Sequence, residues 1–457
     1  GLQLLSSFKW KIHFADFSQA FMQGDQLQRG EELYCEMPKG GIPGVDSRCL
    51  IQILKTVYGL TDAPFRWNRH LDEALKRMGY VPSKSDPCLY LLYENNKLGG
   101  MLMLATDDFI DGGNELHQQK MQELKDRYVF GKWDYNKGRF CGKDVEQYDN
   151  FDIKVDQEYY VDLRCKSPIK IEKNSPDEQF CNSEQTDQLR KNNGVLSWLA
   201  KETRVDLSGG VSFSQQCFPE PRIRHARLCN KLLKEAVQYK DLGIIIKSIP
   251  IDELCVAVTS DSAWGNISDP KDAEENLCSQ AGYIVLMASR KLLEGEMAKV
   301  SPIAWKSHRL KRKAPSTLSA ESQAIGEAAA IAAWFRYLLA EVLHPEKLEA
   351  AGSNWELATD QLEYGLITDA KSIYDALSKP TNTAATVQDK RTAIDLAVVR
   401  DELKRGKGCI RWIDTNVQLA DSLTKMMSPD LLRRVLQTGE YMIREELEAL
   451  KLKEQER

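Results

Sequence analysis

The chain has no Cys-x-x-Cys pair, no apolar run long enough to span a bilayer, and no basic-then-apolar leader pattern at its start. It also has no internal repeat and no low-complexity tract. The first absence argues against zinc ribbons and knuckles. The 11 cysteines are scattered and odd in number, which reads as reduced thiols of an intracellular protein, not a disulfide framework. The absent apolar run and leader argue against a membrane span or a secretory signal. Positive charge is also short, with 62 Lys and Arg against 67 Asp and Glu for a net charge of -5. No overall cationic field would draw in a phosphate backbone, so any such contact must come from local clusters. What remains is a chain of 457 residues, 42% hydrophobic and 28% charged. That is ordinary globular composition, with enough length for two or more cores.

The carboxylates carry the chemistry. The apolar run Met101-Leu102-Met103-Leu104-Ala105 leads into Thr106-Asp107-Asp108, and Trp10, Ile12 and Phe14 alternate up to Asp16 as a half-buried strand would. Burying an unpaired carboxylate costs several kcal/mol, so acids at strand ends face solvent, a cation or a metal. Two such strands could hold a pair of magnesium ions for in-line nucleotidyl transfer. An Asp-Asp pair in a hairpin turn is the plainer alternative, because Asp favours turns.

Between these strands lies Leu54-Lys55-Thr56-Val57-Tyr58-Gly59-Leu60-Thr61-Asp62-Ala63-Pro64-Phe65-Arg66-Trp67. It strongly resembles the Leu-x-x-x-Tyr-Gly-Leu-x-x-Ala-Pro-x-x-Trp block of copia-type retrotransposon reverse transcriptases. Asp16 to Gly24 is similar to that family's first catalytic block, and Glu32 to Pro38 and Ser85 to Tyr90 are similar to its intervening blocks. Farther on, Thr259 to Trp264, Ser279 to Tyr283, Ile303 to Ser307, Leu318 to Ser322 and Gln418 to Lys425 follow the order of the ribonuclease H half of such polyproteins. The resemblance covers about residues 8 to 427.

The resemblance implies α/β and α+β multidomain architecture: a polymerase palm with a helical thumb, followed by a ribonuclease H-like α/β domain. The expected spans are palm 1–145 with the fingers mostly missing, connection and thumb-like helices 146–247, ribonuclease H-like domain 252–427, and a C-terminal helical tail 428–457. The start at Gly1 instead of Met reads as an N-terminally truncated piece of a polyprotein. The implied activities are RNA-directed DNA synthesis and hydrolysis of the RNA strand of RNA–DNA hybrids. The implied partners are an RNA template, a DNA primer, deoxynucleoside triphosphates and other products of the element, with no membrane. Intracellular placement in a cytoplasmic virus-like particle, with access to the nucleus for DNA integration, is implied too. Mg2+, with Mn2+ as substitute, would sit on Asp16, Asp107 and Asp108 in the polymerase. In the nuclease it would sit on Asp261, Glu321, Asp369 and Asp421.

Other residues read in two ways. Phe21 falls where the family has an aromatic gate under the sugar, or is a core Phe after the strand. Tyr58 and Gly59 fall where the family lines the nucleotide pocket, and Gly59 allows close backbone approach or marks a turn. Lys306, Arg309, Lys311, Arg312 and Lys313 form a basic run ahead of Glu321 that suits phosphate contact, although such a run is also a solvated face. Arg222, Arg224, His225, Arg227, Lys231 and Lys234 form a second group. Two departures stand out: Ala105-Thr106 replaces the family's Tyr-Val, and no His follows His344 to serve as the nuclease helper near Arg391-Thr392. A chain that binds nucleic acid without catalysis, or cuts without synthesising, therefore stands beside the full reading.

Coarser expectations complete the picture. Helices are expected over 64–78, 117–128 and 223–239, and a turn at Asn193-Gly194 ahead of a helix through Leu196, Trp198 and Leu199. Lys247 to Pro250 reads as a linker, Asp261 as the end of its strand, and the segment after Ser428-Pro429 as a solvated helix with Pro at its first position.

Overall fold

The alternation around Phe14 does make a strand, His13–Phe17, but one covered on both faces instead of half-buried. Ala15 and Phe17 enter a core with Trp67, Leu71, Leu75, Phe109 and Leu124. On the other face, Phe14 lies so close to Gly138 that a Cβ there would come within 2.4 Å of its ring. The computed structural model describes residues 1–27, 31–268, 277–352, 356–360, 362–378, 387–405 and 407–444. Among them no helix is long and apolar enough to cross a membrane. The chain forms two compact units, Trp10–Cys141 with Gly1, and Leu2–Lys9 with Gly142–Arg457.

The first unit is built on a six-stranded sheet in the order Val81–Pro82, Leu89–Glu94, Lys97–Ala105, Asp108–Gly113, His13–Phe17, Phe130–Tyr135. Neighbouring strands run antiparallel. Helices Ala63–Arg77 and Glu115–Arg127 bury Trp67, Leu71, Ala74, Leu75, Met121 and Leu124 in the core of this unit. Both helices match their sequence patterns to within two residues. Apolar residues at helical spacing, Pro64 in the first turn and Gly79 in the left-handed region just past the end specify the first of them.

Two layers of the second unit bear on the site, and they differ in character. Helices Ser183–Glu202, Ser208–Gln215 and Ile223–Gln238 pack around Leu189, Leu196, Leu199, Val211, Ala226 and Leu232. Asn193-Gly194 is therefore not a turn but lies inside the first of these helices. Asn193 is buried there, donating to the Ser214 carbonyl at 3.2 Å and accepting from the Ser214 hydroxyl at 2.7 Å. Those tertiary bonds override a local turn preference.

The other layer is a six-stranded sheet in the order Gly408–Trp412, Tyr364–Thr368, Leu254–Ser268, Leu277–Ser289, Ala298–Arg309, Glu440–Tyr441. Its first two strands run parallel to each other and to Leu254–Ser268, and the rest are antiparallel. Helix Thr317–Leu343 lays Ala324, Ile325, Ala328 and Ala332 inward.

Several links bind these layers into one unit. Trp305 donates to the Ala200 carbonyl at 2.7 Å, and Gln280 donates to the Ser212 hydroxyl at 2.8 Å. Gly209 meets the Ser422 carbonyl so closely that a Cβ would lie 2.1 Å from its oxygen. Lys247 to Pro250 is not a free linker. Ile249 is fully buried, and the Ser248 amide donates to Asp152 at 2.7 Å. The tail differs from expectation as well. Its helix is Asp430–Thr438 with Pro429 as the cap, and it buries Leu432, Arg433, Val435 and Leu436. The remaining tail, 445–457, lies outside the described residues.

Candidate active site

In the first unit the acids meet at a hairpin. Ala105 pairs with Asp108, leaving Thr106 and Asp107 as the two-residue turn, and Asp16 pairs with Asp108 across the neighbouring ladder. Thr106 has φ of 59°, a left-handed conformation that a β-branched residue adopts only under restraint. The restraint is visible. Trp67 Nε1 donates to the Thr106 carbonyl at 2.8 Å, and the Phe17 amide donates to the Asp107 carbonyl at 2.8 Å. The Asp pair thus sits at a hairpin turn, with Asp108 as the first residue of the returning strand and beside Asp16. Burial, then the neighbouring Asp107 and Asp16 charges, raise the Asp108 carboxyl above its ordinary range.

Phe21 is 7% exposed and belongs to the core, with the Tyr58 ring packed on it at 4.7 Å. Tyr58 is exposed, and Gly59 has φ of 100°, a backbone conformation that suits a turn, with open space around it.

In the second unit three acids from distant parts of the chain converge. Asp261 lies within its long strand, opposite Gly282, and not at the strand's end. Asp369 directly follows strand Tyr364–Thr368, and Asp421 opens the short helix Asp421–Thr424. Ligand oxygens of the three all lie within 4.8 Å of one another. Among the described residues no other trio of His, Cys, Asp or Glu gathers so tightly, the Asp16, Asp107 and Asp108 set included. Glu321 is buried on its helix and accepts from the Ser262 amide at 3.3 Å.

The electrostatics follow from burial. Desolvation, reinforced by Asp421 and Asp369 and opposed by Lys425, pushes the Asp261 carboxyl up to about 7. Burial, with the charges of Asp261 and Asp369, drives Glu321 well above the ordinary carboxylate range, and burial also raises Asp421.

Sequence reasoning missed the polar frame of this site. Gln418 donates to Asp369 at 3.3 Å and to the Ser260 carbonyl at 3.1 Å, and Thr415 donates to Asp369 at 2.9 Å. Thr424 donates to Asp261. Lys425 Nζ lies 2.6 Å from Asp421 Oδ1 and 3.5 Å from Asp261 Oδ2. The spacing of four from Asp421 to Lys425 was the available signal, since i,i+4 acid–base pairs meet on a helix.

The basic run is largely tied up. Lys306 and His308 both pair with Glu327, at 3.1 and 3.0 Å, and Arg312 pairs with Asp395. Lys311 and Lys313 are exposed. Arg222 and Arg224 of the second basic group pair with Glu178, and Arg227 with Asp177. Arg391 stands in the stretch where a helper His was expected. With Trp264, Arg312 and Lys313 it lines a groove of about 510 Å³.

Residues 2–167 match the family "Reverse transcriptase (RNA-dependent DNA polymerase)". The retrovirus-related Pol polyprotein from transposon RE2 of Arabidopsis thaliana is 23% identical over 92% of this chain and 27% of its own length. The putative transposon Ty5-1 protein of Saccharomyces cerevisiae is 25% identical over 62% of this chain and 90% of its own. The chain spans about a quarter of the length of the Arabidopsis relative. Among solved structures, a foamy viral protease-reverse transcriptase in complex with RNA/DNA hybrid aligns with a TM-score of 0.41 and 10% identity. That alignment covers 91% of this chain and 46% of that one.

Proposed function

We propose, for a chain that is a copia-type retrotransposon Pol polyprotein, an RNA-directed DNA polymerase joined to a ribonuclease H that cuts the RNA strand of RNA–DNA hybrids. The observation that carries the nuclease half is the convergence of Asp261, Asp369 and Asp421 within 4.8 Å, with Glu321 close enough to be shifted by Asp261 and Asp369. Clustering that many acids where water is scarce is costly unless a cation meets them or they hold protons. Every ligand in the set is a hard carboxylate oxygen, which suits Mg2+ or Mn2+ and not a zinc centre. Bound divalent ions would supply an activated water and stabilise the leaving oxygen.

The protein's own contribution is placement. Gln418 and Thr415 orient Asp369, the Ser262 amide orients Glu321, and Thr424 holds Asp261. The groove lined by Trp264, Lys313 and Arg391 offers an aromatic face and cations to a nucleic acid strand. On the polymerase side, Asp16, Asp107 and Asp108 would serve the primer end and the incoming deoxynucleoside triphosphate, with the Thr106 turn held by Trp67 setting their position.

The test uses the full chain and a hybrid with labelled RNA. Cleavage in Mg2+ or Mn2+ that disappears in Asp369→Asn supports the reading. A folded protein that binds hybrid yet cuts with neither metal would identify a non-catalytic copy. A second reading, cutting without synthesis, is favoured by one observation: the polymerase acids do not gather as tightly as the nuclease acids. Primer extension on an RNA template that is lost in Asp16→Asn would exclude it.

A further inference from the structure

The cation nearest to the nuclease acids is one the chain supplies itself. Lys425 Nζ touches Asp421 Oδ1 at 2.6 Å and faces Asp261 Oδ2 at 3.5 Å, so it sits on two of the three carboxylates that come within ligand distance of one another. Its backbone is fixed, because the Lys425 amide donates to the Asp421 carbonyl at 2.9 Å at the end of the short helix. Its side chain is not fixed, being 42% exposed while those of Asp421 and Asp261 are only 10% and 3% exposed. The ammonium therefore has a path to solvent that needs no backbone movement, whereas the carboxylates have none.

A divalent ion held by Asp421 and Asp261 would need the same negative charge that the ammonium now meets. Two cations close together in a poorly hydrated site repel strongly, so Lys425 and the ion would compete for the pair.

We propose that Lys425 is a resident counter-cation of the nuclease site, which a divalent ion must displace in order to bind. It lets the metal-free protein fold with its acids clustered, and it sets the metal concentration at which the site loads. This rests on the metal-site reading given under Proposed function. Lys425 acts here as a positioning residue, through the carboxylates it holds.

The experiment is a Mn2+ titration of the metal-stripped full chain, followed by calorimetry and by the electron paramagnetic resonance of free Mn2+, with thermal melts alongside. Lys425→Met keeps the stem and removes the charge. It should bind Mn2+ about tenfold more tightly or better, inside the 5–150-fold range usual for coupled sites. It should also melt lower than wild type without metal and recover when Mn2+ is added. Lys425→Arg keeps the charge and forks onto both carboxylates, so its affinity should equal or fall below wild type. It serves as the second arm if the Met variant is too unstable to titrate. Unchanged or weaker Mn2+ binding by Lys425→Met, or tighter binding by Lys425→Arg, overturns the proposal and leaves the metal site standing. If wild type shows no Mn2+ site that Asp369→Asn removes, the metal-site reading itself fails, and the proposal with it.

Discussion

Replacing Asp261 by Asn should stabilise the metal-free protein, and should do so far more at pH 8 than at pH 5. Burial, Asp421 and Asp369 push this carboxyl from an ordinary 3.8 up to about 7. An acid whose folded value is raised binds its proton more tightly when folded. Its contribution to stability is full below the unfolded value and is lost as pH rises through the folded one. The window is therefore about pH 4 to 7. At pH 8 the ionised carboxylate costs roughly 4 kcal/mol, and at pH 5 only about 1–2 kcal/mol, at about 1.36 kcal/mol for each pH unit. Asn removes that cost and gives up part of the bonding with Thr424 and Lys425, about 1 kcal/mol. The net expectation is a gain of roughly 2–3 kcal/mol at pH 8, several degrees in melting temperature for a unit of this size, and little change at pH 5. The assay is thermal unfolding in EDTA at both pH values, repeated with Mn2+, which should raise wild type and leave the Asn variant unmoved. A variant no more stable than wild type at pH 8, or equally stabilised at both, would refute the claim that Asp261 is held ionised at a cost.

Three further outcomes follow from the packing. Phe21→Ala should lower the stability of the first unit by about 3–5 kcal/mol, because the ring is 7% exposed and packed on Tyr58. Urea unfolding checks this, and a loss under 1 kcal/mol together with altered sugar discrimination would favour the gate reading of Phe21 instead. Residues 252–427 expressed alone should aggregate, since strand Ala298–Arg309 would lose its Glu440–Tyr441 neighbour and the Trp305 bond to Ala200. Size-exclusion chromatography checks this, and a monodisperse 252–427 would refute it. Arg433→Met should cost about 3–5 kcal/mol by thermal or urea unfolding, because it strips a partner from buried Asp206, which Arg204 then holds alone, and from Glu235.

Local order was legible because local rules apply to it. Helix Ala63–Arg77 carries its own stripe, first-turn Pro and closing Gly, so its bounds could be read without the fold. Asp16, Asp107, Asp108, Asp261, Glu321, Asp369 and Asp421 could be picked out because acids beside apolar runs violate the expected pattern, and because the blocks around them resemble a known family. Three things depended on distance in space. Asn193-Gly194 looks like a turn until Ser214, 21 residues away, is seen to satisfy the Asn. The chain from 428 on looks solvated until Arg433 is found on Asp206 and Tyr441 beside Ala298. The nuclease acids could be named singly, but that three of them close to within 4.8 Å of one another, and that Lys425 stands on two of them, is set by a sheet joining strands more than 100 residues apart. Sequence alone determined which acids adjoin apolar runs, since composition and period are properties of the chain. Only the tertiary structure decided which of those charges meet, because Coulomb energy depends on distance and burial and not on order along the chain.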